Sequence, residues 1–138
     1  IIKKAKVIER ARAINQEKLN TPFQILMSLG GREQAAICGA LIAARLNSIP
    51  VIIDGFIASS AIAPLISVEE IYDHVIFAHQ SAEAGHGRLL NKLGKVPMFD
   101  LGMRLGEGSG AALALNIIRA SLACHNGMAT FAEAGIGS

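Results

Sequence analysis

Along Ile1–Asn15, IIKKAKVIERARAIN, the apolar Ile1, Ala5, Ile8, Ala11 and Ile14 recur at three- and four-residue steps with Lys and Arg between them. That is the period of an amphipathic helix with a basic outer face. Thr21-Pro22 then places a capping side chain before a proline at the first helical position, which predicts a short helix over FQILMSL, stopped by Gly30-Gly31. A further helix is predicted from about Arg32 to Leu46. The pattern changes at IPVIIDGF (Ile49–Phe56), a short, wholly apolar, β-branched run ending in Asp54-Gly55. Such a run predicts a strand buried on both faces that delivers a polar residue at its carboxyl end. HVIFAHQSAEAGH (His74–His86) repeats the plan, with a polar His-Gln-Ser end and a helix beginning near Ala82. KVPMFDLGMRLGEGSG (Lys95–Gly110) repeats it less cleanly, ahead of an alanine-rich helix from about Ala111 to Cys124.

Helices alternating with short strands predict an α/β fold, a parallel sheet flanked by helices with a helical sub-region, and such sheets bind ligands beyond the carboxyl ends of their strands. Asp54, Ser81 and Glu107 are therefore expected to converge. No repeat, low-complexity tract or linker divides residues 1–138, which read as one region. At 51% hydrophobic residues and 4 prolines the chain can bury a core. Its apolar runs are broken by Gly, Pro or charge before the roughly eighteen residues a membrane span needs, so a soluble chain is expected and no membrane partner. A net charge of +2 with 4% aromatic residues and no Trp lacks the basic, ring-studded surface that nucleic acid requires. Cys38 and Cys124 lie among apolar and small residues without CxxC spacing, which predicts buried, reduced thiols and a cytoplasmic setting. The chain opens on Ile1 with no signal-peptide layout and reads as a piece of something longer.

The candidate chemistry gathers in DLGMRLGEGSGAALAL (Asp100–Leu115). Gly106-Glu107-Gly108-Ser109-Gly110-Ala111 formally fits the dinucleotide pattern G-x-G-x-x-G/A. Glu107, however, would repel a pyrophosphate, DLGMRL makes a poor strand, and Glu133 lies too far along to hold a ribose. A glutamate in the first turn of a helix gains roughly 0.3–1 kcal/mol from the helix dipole. That gain does not require glycines on both sides, which instead let a ligand reach the carboxylate. Glu107 reads as a base, with neighbouring backbone N–H groups left for an anionic part of the ligand. Arg104 is placed to meet phosphate or carboxylate bidentately. Asp54-Gly55 either ends its strand in a turn or serves the site, and Glu83 and His86 either form a surface pair or flank a ligand. The spacings of His74, His79 and His86 miss the i, i+4 geometry of helical zinc pairs, so no metal is expected.

In order and spacing, GGREQAAICGALIAAR, IPVIIDGFIASSA, FAHQSAEAGHGRLL, DLGMRLGEGSGAALAL and HNGMATFAEAGI closely resemble the carboxyl-terminal part of the nicotinate-nucleotide–dimethylbenzimidazole phosphoribosyltransferase family. The resemblance spans nearly the whole chain and implies a Rossmann-like fold. It implies transfer of the 5-phosphoribosyl group from nicotinate mononucleotide to 5,6-dimethylbenzimidazole, giving α-ribazole 5′-phosphate and nicotinate, without cofactor. Glu107, in RLGEG, would be the general base. Asp54, Ser81 and Glu83 would contact substrate. The 5′-phosphate would be held around Ser81, Gly106 and Gly108, with Arg104 and Lys3 or Lys4 adding charge. The resemblance, with the apolar excess, also implies a homodimer. Family members are longer, so two other expectations stand beside turnover: a fragment that binds a phosphoribosyl ligand without reaction, and a subunit active only with a partner chain.

Overall fold

The computed structural model describes residues 2–137. Helices α1 (Ile2–Ile14), α2 (Pro22–Leu29) and α3 (Arg32–Leu46) open the chain. Strand β1 (Val51–Ile53) leads through α4 (Phe56–Ile62) and a 3₁₀ segment (Ala63–Ser67) to β2 (Val75–Phe77), followed by α5 (His86–Leu93) and α6 (Ser109–Gly127). β1 and β2 pair in parallel, Val51 with Val75, Ile52 with Ile76 and Ile53 with Phe77. Parallel pairing puts Asp54 and Ser81 at the same end of the sheet.

Local chemistry sets the helix starts. Thr21 accepts from the Gln24 backbone N–H at 3.2 Å while the Gln24 side chain accepts from the Thr21 N–H at 3.0 Å, a reciprocal box with Pro22 behind it. Gln34 repeats half of it on the Gly31 N–H at 2.7 Å. The core lies where α3, α4 and α5 cover the strands: Leu41, Ile53, Ile62, Leu65, Phe77 and Leu90 are each at most 4% exposed. Each such side chain contributes about 1.5–3 kcal/mol of burial. Tyr72 donates to the Ile62 carbonyl at 2.7 Å, and burial, then the Cys38 charge, pushes its phenol up to about 12.

Several expectations from the pattern are corrected. The segment Lys95–Gly110 forms no third strand; it meets the sheet at an isolated bridge, His79 with Phe99, and through the Met98 N–H, which the Phe77 carbonyl accepts at 2.9 Å. Pro97 brings no N–H, and the Gly102 N–H turns back to the Asp100 carboxylate at 3.2 Å, so no ladder propagates. α5 starts at His86 and not near Ala82, because Ser81 Oγ holds the Glu83 N–H and the Glu83 carbonyl holds the His86 N–H in a turn. The expected double burial of the first strand fails: Ile53 is buried, but Val51 and Ile52 are only half-covered. α1 has no buried residue, and Val7, Ile8 and Ile14 stand in the open. Cys38 is buried, with burial raising its thiol, whereas Cys124 is exposed on the outer part of α6.

The accessible surface is 9881 Å² for a 14.5 kDa chain, against roughly 6,900 Å² for a self-contained chain of that mass. Exposed within it are many large apolar side chains, among them Val7, Ile14, Leu46, Val96 and Phe131, that nothing among the described residues covers. Among those residues no helix is long and apolar enough to cross a membrane.

Candidate active site

A cleft of about 480 Å³ opens at the carboxyl end of the two strands. Its lining includes Asp54, Ser81, Glu83, Arg104, Gly106, Glu107 and Gly108, so these seven residues expected from the sequence meet in one place. Asp54 follows β1 directly and Ser81 lies four residues past β2, which is what a parallel pair does with the polar residues after its strands. Lys3 and Lys4 do not join them; they flank a separate groove on α1 with Val7 and Ile8.

Glu107 is not in a helical turn, so the helix-dipole account of it does not apply. It precedes α6, whose N-cap is Gly108, and it sits at φ 58 between Gly106 at φ 83 and Gly108 at φ 74. Three successive residues therefore occupy the left-handed region. The two glycines do so freely, while an L-residue such as Glu107 pays about 1–2 kcal/mol. Ser48 and Glu70 carry the same strain, each at φ 56, and of the three Glu107 alone lines the cleft. Ser109 Oγ donates to the Gly106 carbonyl at 2.7 Å and pins the run from behind.

Asp54 half-belongs to the fold. Its Oδ1 accepts the Ala111 N–H at 2.8 Å, capping α6 from a strand end far away in sequence. The other carboxylate oxygen remains for the cleft. Ser81 offers its hydroxyl to Glu83 Oε2 at 3.4 Å, and its own N–H is taken by His86 Nδ1 at 2.8 Å. His86 therefore carries its proton on Nε2 and donates to Ser59 Oγ at 3.0 Å. Fully buried, it is held below the usual histidine range by desolvation first and then by the neighbouring His79. It joins α4 to the loop after β2 and is neutral scaffolding, not a surface partner of Glu83.

With Asp54, Glu83 and Glu107 in the cleft against Arg104, an anion finds one guanidinium and must otherwise rely on backbone N–H groups and hydroxyls. Two residues that pattern reading did not assign to the site also matter. His79, 3% exposed, lines the cleft, and Gly110 gives it room, since a Cβ there would collide with the imidazole. The sequence offered only a metal-ligand spacing test for the histidine and a phosphate-loop pattern for the glycine; neither encodes their contact. Among the described residues no three His, Cys, Asp or Glu side chains gather as a metal site would need.

The model of a phosphoribosyltransferase family matches residues 1–136. A nicotinate-nucleotide–dimethylbenzimidazole phosphoribosyltransferase of Brucella canis is 54% identical over 135 residues, 97% of this chain and 40% of the relative. One of Novosphingobium aromaticivorans is 57% identical over 137 residues, 99% of this chain and again 40% of the relative. The crystal structure of the enzyme of that name from Thermus thermophilus superposes with a TM-score of 0.76 at 35% identity, over 85% of this chain and 36% of that one. The chain thus spans about 40% of the length of the curated relatives it matches. With the family model covering all but its last residues, and relatives of one name on either side, the chain belongs to the phosphoribosyltransferase family.

Proposed function

We propose that the cleft carries out the nucleotide-to-base transfer named for its relatives: the 5-phosphoribosyl group moves from nicotinate mononucleotide to 5,6-dimethylbenzimidazole, yielding α-ribazole 5′-phosphate and nicotinate. The observation that carries this reading is Glu107 held between two left-handed glycines at the cleft, facing the ends of both strands. A carboxylate so presented has no flanking side chains to keep a ligand away.

Glu107 takes the N–H proton of the base as the other ring nitrogen bonds to ribose C1′. The C1′–N bond to nicotinate breaks, and its electron pair returns to the pyridine nitrogen, neutralising the pyridinium. The leaving group therefore needs no strong acid. Attack opposite to it converts the β-nucleotide into the α-product. The free oxygen of Asp54, Ser81 and Glu83 serve the ribose and its surroundings, and Arg104 with the Gly106 and Gly108 backbone serves the 5′-phosphate. Supporting this division, the cleft has one guanidinium against three carboxylates, so a phosphate is steered to the Arg104 side.

A homodimer in the cytoplasm, with a Rossmann-like sheet completed beyond two strands, is part of the same reading. The uncovered apolar surface supports it. That surface also favours a second reading, in which these 138 residues bind the phosphoribosyl ligand but turn it over only beside further protein. Assay of the full chain with nicotinate mononucleotide and dimethylbenzimidazole, following nicotinate release, tests the first reading. Binding of the mononucleotide without release is the result that replaces it with the second, and neither binding nor release removes both.

A further inference from the structure

The proposed reaction leaves His79 without a task. Its ring is 3% exposed, yet Nδ1 is buried with no hydrogen-bond partner among the described residues. A nitrogen shut away from water in this way is destabilising and calls for an explanation; both nitrogens of His74 share that state, but His79 alone of the two lines the cleft. The ring is tightly held. It stacks on Phe99 with centroids 6.1 Å apart at 18°, meets His86 edge-on at 6.3 Å, and has Gly55 and Gly110 against its rim. Nδ1 lies 3.9 Å from Asp54 Oδ1, the oxygen that caps Ala111. His86 does not compete for that carboxylate, since both its nitrogens are engaged elsewhere.

We propose that His79 is a positioning residue: it keeps its proton on Nδ1, directs it at Asp54, and so fixes the carboxylate that caps α6 and the Gly106–Gly108 run presenting Glu107. The line from His79 through Asp54 and Ala111 ends one turn from the reacting carboxylate. Misplacement of a catalytic group by about 1 Å costs on the order of a hundredfold in rate. The kinetic part rests on the function proposed above; the structural part does not.

Three substitutions in the full chain test it. His79→Asn puts an amide N–H where Nδ1 lies, His79→Gln puts its amide where Nε2 lies, and His79→Leu keeps bulk against Phe99 with no donor. His79→Leu and His79→Gln are expected to lower kcat by about ten- to a hundredfold with KM for nicotinate mononucleotide nearly constant, and His79→Asn to recover most of the loss. Two readouts are independent of turnover. Nitrogen-15 spectra of the wild-type histidines should place the His79 proton on Nδ1, and hydrogen exchange at the Ala111 amide should quicken in His79→Leu but not in His79→Asn. A bare Nδ1, or Ala111 exchange unchanged in His79→Leu, overturns the proposal, as does His79→Asn behaving like His79→Leu. If the wild-type chain transfers nothing, the functional reading fails while tautomer and exchange still decide the role of His79. If His79→Leu does not fold, the contrast between Asn and Gln decides it.

Discussion

Asp54 Oδ1 accepts the backbone N–H of Ala111 at 2.8 Å across 57 residues of chain, so the end of the first strand caps the helix behind the Gly106–Gly108 run. Removing the acceptor with Asp54→Ala should cost about 1–2 kcal/mol, the scale of losing an N-cap side chain. Urea unfolding of the variant checks this. An unchanged midpoint would make the bond incidental and the carboxylate wholly the ligand's.

Glu107 should show stability and activity moving in opposite directions. Replacing it with Gly relieves the left-handed strain, for a gain of about 0.5–1 kcal/mol, yet removes the base. Glu107→Gln keeps shape and strain and loses only proton-accepting power, so kcat falls by about 10²–10⁴ while nicotinate mononucleotide binding persists. Thermal melts and steady-state kinetics on both variants separate the two effects. A Glu107→Gln enzyme with near-normal kcat would leave Glu83 as the carboxylate to test.

Glu133 is the comparison. Its carboxylate accepts the Thr130 N–H at 2.8 Å and hydroxyl at 2.9 Å, and these bonds hold it below the usual range. It closes a local turn and lies outside the cleft. Glu133→Gln should leave kcat within about twofold of wild type, a difference too small to count as transition-state stabilisation.

Gly110→Ala drives a methyl into the His79 imidazole, an overpacking that should cost about 1–3 kcal/mol. Gly127→Ala, with open space around its added carbon at the end of α6, should be neutral or stabilising by up to about 1 kcal/mol. Differential scanning of the pair distinguishes a steric requirement at residue 110 from a general dislike of alanine in α6.

Acid should weaken the fold through His86. Because its folded-state pKa lies below the unfolded value of about 6.5, the unfolded chain binds more protons as pH drops. The stability that neutral His86 contributes is complete above that value and declines as pH falls from about 6.5 toward the folded pKa. The melting temperature should decrease over that window, and the His86 ring resonance should titrate below the ordinary histidine value in the folded protein. Titration of that resonance at the ordinary value would contradict the buried double hydrogen bond.

How much of this was legible beforehand depends on whether the information is local. Thr21-Pro22 announces α2 because cap and proline act within one turn. IPVIID and HVIF announce the strands, and parallel pairing then brings Asp54 and Ser81 to one end of the sheet, where the irregular segment carrying Glu107 meets them. The left-handed conformation of Glu107, the reach of Asp54 to Ala111 and the seating of His79 on Phe99 depend on partners distant in sequence, which periodicity cannot name. The apolar stripe of α1 is a helix signal without a cover among the described residues, and Cys124 looked buried for the same reason: an apolar neighbourhood in sequence is not a neighbour in space.

The buried His86 ring divides the cleft into unequal partners for any future redesign. Its two hydrogen bonds rivet Ser59 of α4 to the loop at Ser81, so that side is a single immovable jaw. The facing strap, residues 101–108, has no buried residue and no regular structure, and leans on the Ala82 N–H through the Met103 carbonyl. Variation that seeks to reshape the cleft belongs on that strap. Leu105 lines the cleft and stands exposed, so it can be exchanged there with little loss of core, whereas Ser59 and His86 on the riveted jaw are buried and their replacement would cost stability.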